Sequence, residues 1–197
     1  TIDTLPRLKA ICSNIESIEQ LVVVPVIQDA VAVDGFGNAV LFHDFLSAHR
    51  GAELFCEQLP FNHPLYIMYS SGTTGAPKCI VHSAGGTLIQ HLKEHQLHVD
   101  LKPSDRLFYF TTCGWMMWNW LVSGLASGAT LVLYDGSPFY PDAKALIDLV
   151  EAEQVSIFGT SAKYLSALEK AGVNPNKTHN LSQLRTLLST GSPLSQE

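Results

Sequence analysis

The residues best equipped for chemistry lie together in Tyr69-Ser70-Ser71-Gly72-Thr73-Thr74-Gly75-Ala76-Pro77-Lys78. Two glycines, four hydroxyls and one lysine fall between Ser70 and Lys78. Glycine lets a backbone approach a ligand closely and adopt φ > 0 without steric cost. Neighbouring backbone N–H groups and hydroxyls donate to phosphate oxygens. Lysine adds a compact positive charge. Ser70, Ser71, Gly72, Thr73, Thr74, Gly75 and Lys78 therefore form a candidate polyphosphate cradle. It is not the G-x-x-x-x-G-K-[ST] loop that opens a helix. The spacing is Gly72-x-x-Gly75-x-x-Lys78, Pro77 precedes the lysine, and Cys79-Ile80-Val81-His82 reads as a strand. The bland alternative is a glycine-rich hairpin with no ligand, but a plain hairpin needs neither the hydroxyls nor the lysine.

Two further stretches carry unusual residues. Thr111-Thr112-Cys113-Gly114-Trp115-Met116-Met117-Trp118-Asn119-Trp120 is aromatic and mostly apolar. Part of it must be core. Asn119 is polar within it, and a buried amide needs partners, so it meets either substrate or a backbone group. Thr190-Gly191-Ser192-Pro193 is a turn after an apolar run. His91, His95 and His98 stand at i, i+4 and i+7 and could line one helical face. No carboxylate or cysteine completes a recognisable metal set there. Cys12, Cys56, Cys79 and Cys113 are scattered without a C-x-x-C pair, which points to reduced, mostly buried thiols.

These residues need elements to position them. Leu5, Leu8, Ile11, Ile15 and Ile18 have helical spacing, which predicts a helix over 5–18. Residues 21–27 read as a strand, with Pro25 near its edge. Residues 31–40 read as a turn-rich excursion and 41–48 as a short helix. Leu65-Tyr66-Ile67-Met68 reads as a buried strand before the glycine-rich loop, and 79–83 as a second strand. Gly85-Gly86 lets the next helix, 87–99, start close to the backbone around it, with Leu88 and Leu92 turned inward beside His95 or Val99. Strands follow over 106–111, 129–134, 155–158 and 184–189, and helices over 115–127, 142–153 and 162–171. Asp142 is the expected cap of the second of these helices, and 174–180 a polar loop. Strands alternating with helices predict an α/β fold: a largely parallel, doubly wound sheet with flanking helices. Ligands then sit beyond the carboxyl ends of the strands. Loops 70–78, 111–115 and 190–193 should meet there.

The motif YSSGTTGAPK, followed by His82 and Gly85-Gly86, resembles the phosphate loop of the adenylate-forming superfamily, which includes acyl-CoA synthetases, luciferases and peptide-synthetase adenylation domains. The resemblance runs from about Phe42 to the last residue, and its longer context is most similar to the acetoacetate-activating branch. It implies that the loop holds the β- and γ-phosphates of ATP while a carboxylate attacks the α-phosphorus. It implies ATP, Mg²⁺ and CoA as cofactors or co-substrates and acetoacetate as the acid. Acetyl- or propionyl-CoA synthetases, or a non-catalytic nucleotide-binding module of the same fold, are the alternatives; a phosphate-loop NTPase is disfavoured by the loop spacing. By the same resemblance Trp115, Met116 and Met117 line the acyl pocket with Thr190. Gly191, Ser192 and Pro193 lie along the adenine. His82 holds loop hydrogen bonds. Related short-chain enzymes carry an acidic residue where Thr112 stands, which leaves the role of Thr112 open.

At 197 residues the chain can bury one sizeable core. A net charge of −6 argues against a nucleic-acid partner. No apolar run approaches about eighteen residues, so no membrane span is expected. With no visible leader, the cytosol is the expected compartment. The resemblance places the chain inside a large N-terminal domain, with the distal lysine-bearing domain outside it and no catalytic residue of its own. Read as a fragment, the chain should lack ligase activity alone. An uncovered sheet edge and face would also invite self-association.

Overall fold

The structure, a computed structural model, describes residues 4–26, 31–33, 35–70 and 75–194. Contacts divide the chain into two compact units, Thr1–Gln58 and Leu59–Glu197, where length suggested one core.

The first unit opens with α1 (Leu5–Asn14), which has a proline in its first turn, the position where a missing N–H costs nothing. It stops short of Ile18 because Ile15 turns extended (φ −128°). β1 (Leu21–Val23) pairs in parallel with β2 (Ala39–Leu41), and α2 (Phe42–Ser47) follows directly. The excursion over 31–40 thus ends as a strand. The side-chain amide of Gln20 donates to the Asn38 carbonyl and ties the two together. The end of the expected first strand, Ile27, lies outside the described residues.

The second unit begins with β3 (Pro64–Ser70) and β4 (Lys78–Ser83), an antiparallel pair. α3 (Ala84–Lys93) runs on into a π-helical turn, Glu94–His98. Then come β5 (Arg106–Tyr109), α4 (Met116–Ser123) with a 3₁₀ turn behind it (Gly124–Ser127), and β6 (Thr130–Val132). α5 (Ala145–Ala152), β7 (Ile157–Ser161), α6 (Ala162–Lys170), the short α7 (Pro175–Thr178) and β8 (Thr186–Thr190) complete it.

β5 to β8 form one parallel sheet in the order β6-β5-β7-β8. Alternate strand residues serve opposite faces. Phe108 and Phe158 stack at 5.4 Å on one face, in a core with Leu146 and Val150 of α5 and Tyr164 and Leu168 of α6. Leu107, Tyr109 and Ile157 serve the other, with Val99, Leu101, Trp120 and Leu121. Helices cover both faces, so the α/β, doubly wound reading holds for this sheet. From β5 the chain crosses to β6 on one side, and from β7 to β8 on the other. The carboxyl ends of β5 and β7 therefore flank the crevice where such folds bind ligands.

The opposite ends of these strands are pinned by Asp105. Its carboxylate accepts from Arg185 Nη2 at 2.6 Å and Nε at 3.2 Å, from Ser156 Oγ at 2.8 Å and from the Lys102 N–H at 2.7 Å. Arg185 also donates to the carbonyls of Val99 and Asp100. Burial works against the charge, but these hydrogen bonds outweigh it and hold the Asp105 pKa below its ordinary value.

Several expectations need correction. The first glycine-loop strand is not buried: Ile67 is 60% and Tyr69 69% exposed, because α3 packs against one side of the hairpin only. The inward residues of α3 are Thr87 and His91, followed by His95 and Val99; Leu88 faces solvent. Asp142 does not cap α5, whose N-cap is Lys144; its carboxylate instead accepts from the Lys144 N–H one turn earlier. Residues 174–180 contain a helical turn rather than loop alone. Three of the four cysteines, Cys56, Cys79 and Cys113, are exposed, not buried. The glycine expectation holds at Gly85, where a Cβ would overlap the Phe61 ring.

Candidate functional site

The glycine-rich stretch closes the β3–β4 hairpin. Ser70 and Lys78 are cross-strand partners at its mouth, and Lys78 and Gly75 are exposed. The connection, 71–77, is longer than the roughly two to five residues that close an ordinary hairpin. Ser71, Gly72, Thr73 and Thr74 lie outside the described residues. The hairpin thus sets a serine and a lysine in register at the two ends of the glycine-rich connection. The Cys79–His82 segment is a strand, as its composition implied. The His82 ring has no hydrogen bond to a described residue and lines a cleft described below.

β3 is joined to α4 by one polar contact. Asn119 Nδ2 donates to Met68 Sδ at 3.3 Å, two residues before Ser70. The partner Asn119 meets within the chain is thus a thioether sulfur and not the backbone group anticipated as one of its two possibilities.

The loop after β5 carries Thr111 to Trp115. Tyr109 ends the strand with its ring edge-on to both Trp115 (6.1 Å) and Trp120 (5.9 Å). Its hydroxyl donates to the Thr160 carbonyl of β7 at 3.1 Å. Burial pushes the Tyr109 pKa up to about 12, so the phenol stays neutral. Trp115 and Met116 are exposed, while Met117 packs against the core on its face of the sheet. Thr190 ends β8, in register with Ser161 of β7. A Cβ on Gly191 would stand 3.9 Å from the Trp115 ring. Two of the three expected loops therefore meet at the strand ends. Ser192 and Pro193 border a hollow of about 420 Å³ along α6 with Lys163, Ser166 and Lys170.

A second hollow, about 360 Å³, opens between α3 and α4. It is lined by His82 and Ser83, by Gly86, Thr87, Gln90, His91 and Glu94 of the α3 side, and by Met116 and Trp120 of α4. Glu94 accepts from Gln90 Nε2 at 2.6 Å and Trp120 Nε1 at 2.8 Å. Behind it His95 is fully buried, with Nε2 3.0 Å from the Trp120 carbonyl and 2.9 Å from Ser123 Oγ. Desolvation lowers the pKa of both His91 and His95, which keeps the rings neutral. The α3 residues of this hollow were not singled out as site residues from sequence. The signal was there in the i, i+4 spacing of Thr87, His91 and His95. Among the described residues no group of three or more His, Cys, Asp or Glu could hold a metal ion.

A hydroxyl-rich glycine motif in the sequence, together with a parallel sheet whose ligand crevice lies at the strand ends, defines a class. Residues 7–197 match the family model of the AMP-binding enzymes, and the chain belongs to that family. It is 60% identical over 177 residues, 89% of this chain and 27% of the relative, to the acetoacetyl-coenzyme A synthetase of Rhizobium meliloti (strain 1021). It is 54% identical over 150 residues, 69% of this chain and 21% of the relative, to a malonamoyl-CoA synthetase of Penicillium aethiopicum. The acetoacetyl-CoA synthetase structure from Streptomyces lividans superposes with a TM-score of 0.88 at 43% identity, covering 98% of this chain and 29% of that one. The chain thus spans under a third of the length of these relatives. Among its described residues no helix is long and apolar enough to cross a membrane.

Proposed function

We propose that this chain is the phosphate- and acid-binding part of a cytosolic, ATP-dependent acid–thiol ligase whose acid is acetoacetate. In the first half-reaction a carboxylate oxygen attacks the α-phosphorus of ATP. The new O–P bond forms as the bond to pyrophosphate breaks. In the second, the CoA sulfur attacks the acyl carbon, the C–O bond to AMP breaks, and the thiol proton leaves. The chain's part in the first step is positioning and charge stabilisation. Lys78 and Ser70, fixed opposite each other by the hairpin, with Ser71, Gly72, Thr73, Thr74 and Gly75, offset charge on the departing pyrophosphate. Gly191, Ser192 and Pro193 flank the adenine, and Trp115, Met116, Met117 and Thr190 bound the acyl group. Magnesium is expected with the nucleotide; no protein cage for it stands among the described residues, and no step here depends on one.

The observation that carries this reading is the 60% identity to an acetoacetyl-coenzyme A synthetase across 89% of the chain. The malonamoyl-CoA synthetase at 54% favours a second reading of the acid. Acetoacetate and malonamate are both short acids with a carbonyl at C3, so the substrate class is wider than one compound. The test is pyrophosphate release and thioester formation by a full-length enzyme carrying this sequence, given acetoacetate, malonamate, butyrate, propionate and acetate. Acetoacetate should give the highest kcat/KM. Preference for acetate or propionate, or no release with any acid, contradicts the proposal.

A further inference from the structure

On the α3 wall of the hollow between α3 and α4, two polar side chains have no partner among the described residues. Thr87 and His91 are one helical turn apart, and each is only 8% exposed. Among the described residues the Thr87 hydroxyl and both His91 ring nitrogens lack a hydrogen-bond partner, and His91 Nδ1 is wholly buried. Of these atoms only His91 Nδ1 is sealed from solvent; the Thr87 hydroxyl and His91 Nε2 stay accessible from the hollow and free to donate. Glu94, Gln90 and Trp120 in the same hollow satisfy one another. On the α3 wall the unpaired groups are therefore Thr87 and His91; the His82 ring of β4 is the third in the hollow. Met116, assigned above to the acyl group, lines the same hollow.

We propose that Thr87 and His91 bind the C3 carbonyl oxygen of the acid and so select 3-oxo acids over plain short acids. This rests on the acid-activation reading above. Both groups are donors: the hydroxyl through its proton, the neutral imidazole through its one N–H. A ketone oxygen accepts two such bonds. The Glu94 carboxylate takes one donor on each oxygen, from Gln90 and Trp120, and neither Thr87 nor His91 bonds to it. The hollow, at about 360 Å³, has room for a four-carbon acid. The selectivity follows from chemistry: a site built to hydrogen-bond a polar group rejects the analogue that lacks it, because its own donors are then left unpaired. Butyrate matches acetoacetate in carbon count and lacks only that oxygen.

The experiment measures kcat/KM for acetoacetate and for butyrate in the full-length enzyme and in Thr87→Val and His91→Phe. Each variant should lower the acetoacetate-to-butyrate ratio by about tenfold, the scale of one lost hydrogen bond. Thr87→Ser and His91→Gln keep a donor and should recover most of the ratio, which also separates loss of recognition from loss of folding. Equal losses with both acids, leaving the ratio at its wild-type value, overturn the proposal while the ligase reading stands. A wild-type enzyme that activates neither acid overturns both.

Discussion

His95 shows how much one side chain can decide. It is wholly buried, bonded to the Trp120 carbonyl and the Ser123 hydroxyl, with its ring 4.1 Å from that of Trp120. It ties α3 to the helix that carries Met116. Desolvation lowers its pKa and that of His91 below the ordinary 6.5. Glu94 pulls the other way on both rings, as the Trp120 carbonyl does on His95; His91 disfavours charge on His95, and His82 disfavours charge on His91. In the folded state both rings refuse protons that the unfolded chain accepts. The stability they support is whole above about pH 6.5 and is lost as pH falls from there through the folded values. The melting temperature should therefore fall between pH 7 and pH 5.5, and His95→Gln should flatten that slope. A melting temperature constant across this interval would count against the assignment. The histidines were visible in the sequence as a row. Their purpose was not, because i, i+4 spacing is the same for a metal face and for a buried seam between helices.

At the scale of elements, the parallel sheet is gripped at both ends. At the amino ends, Asp105 joins β5, β7 and β8 through Arg185, Ser156 and Lys102. Asp105→Ala removes all four hydrogen bonds and leaves Arg185 without its carboxylate. The unfolding free energy should drop by about 3 kcal/mol, read from urea denaturation. A loss under about 1 kcal/mol means that the clasp is weak. At the carboxyl ends, Gly159 of β7 lies under the Tyr109 ring, where a Cβ would overlap it. That ring supports Trp115 and Trp120. Gly159→Ala should thus shift the fluorescence of the tryptophans as well as destabilise the sheet. An unchanged emission spectrum shows that Trp115 does not depend on Tyr109. The strands of this sheet were legible because apolar stretches such as Leu107-Phe108-Tyr109 and Ile157-Phe158 are buried on both faces. The hairpin misled for the same reason. Its residues are equally apolar, but nothing in composition says that only one side is covered.

Across the whole molecule, the α/β class and helices on both faces of the parallel sheet followed from alternating elements. The division into two compact units did not, since a turn-rich excursion and a second short strand look alike in sequence. The site was legible in proportion to how far its chemistry departs from ordinary turns. Four hydroxyls, two glycines and a lysine in nine residues exceed what a hairpin requires. By contrast, Thr87 and Gln90 are ordinary helix residues and become notable only once α4 is placed beside them. The structure also relates the pieces the motif could not. The loop after β5 touches the turn after β8, and β3 is bonded to α4.

The account depends on the loop between Ser70 and Lys78 holding the triphosphate during acid activation. The direct measurement is acetoacetate-dependent exchange of pyrophosphate into ATP by the full-length enzyme and by its Lys78→Ala variant. That reaction reads the first half-reaction alone and needs no CoA. Loss of the ammonium group should lower the exchange rate by about a hundredfold or more, the scale of one donor removed from a developing charge, with the melting temperature retained because Lys78 is exposed. Exchange at the wild-type rate in the variant would contradict the account.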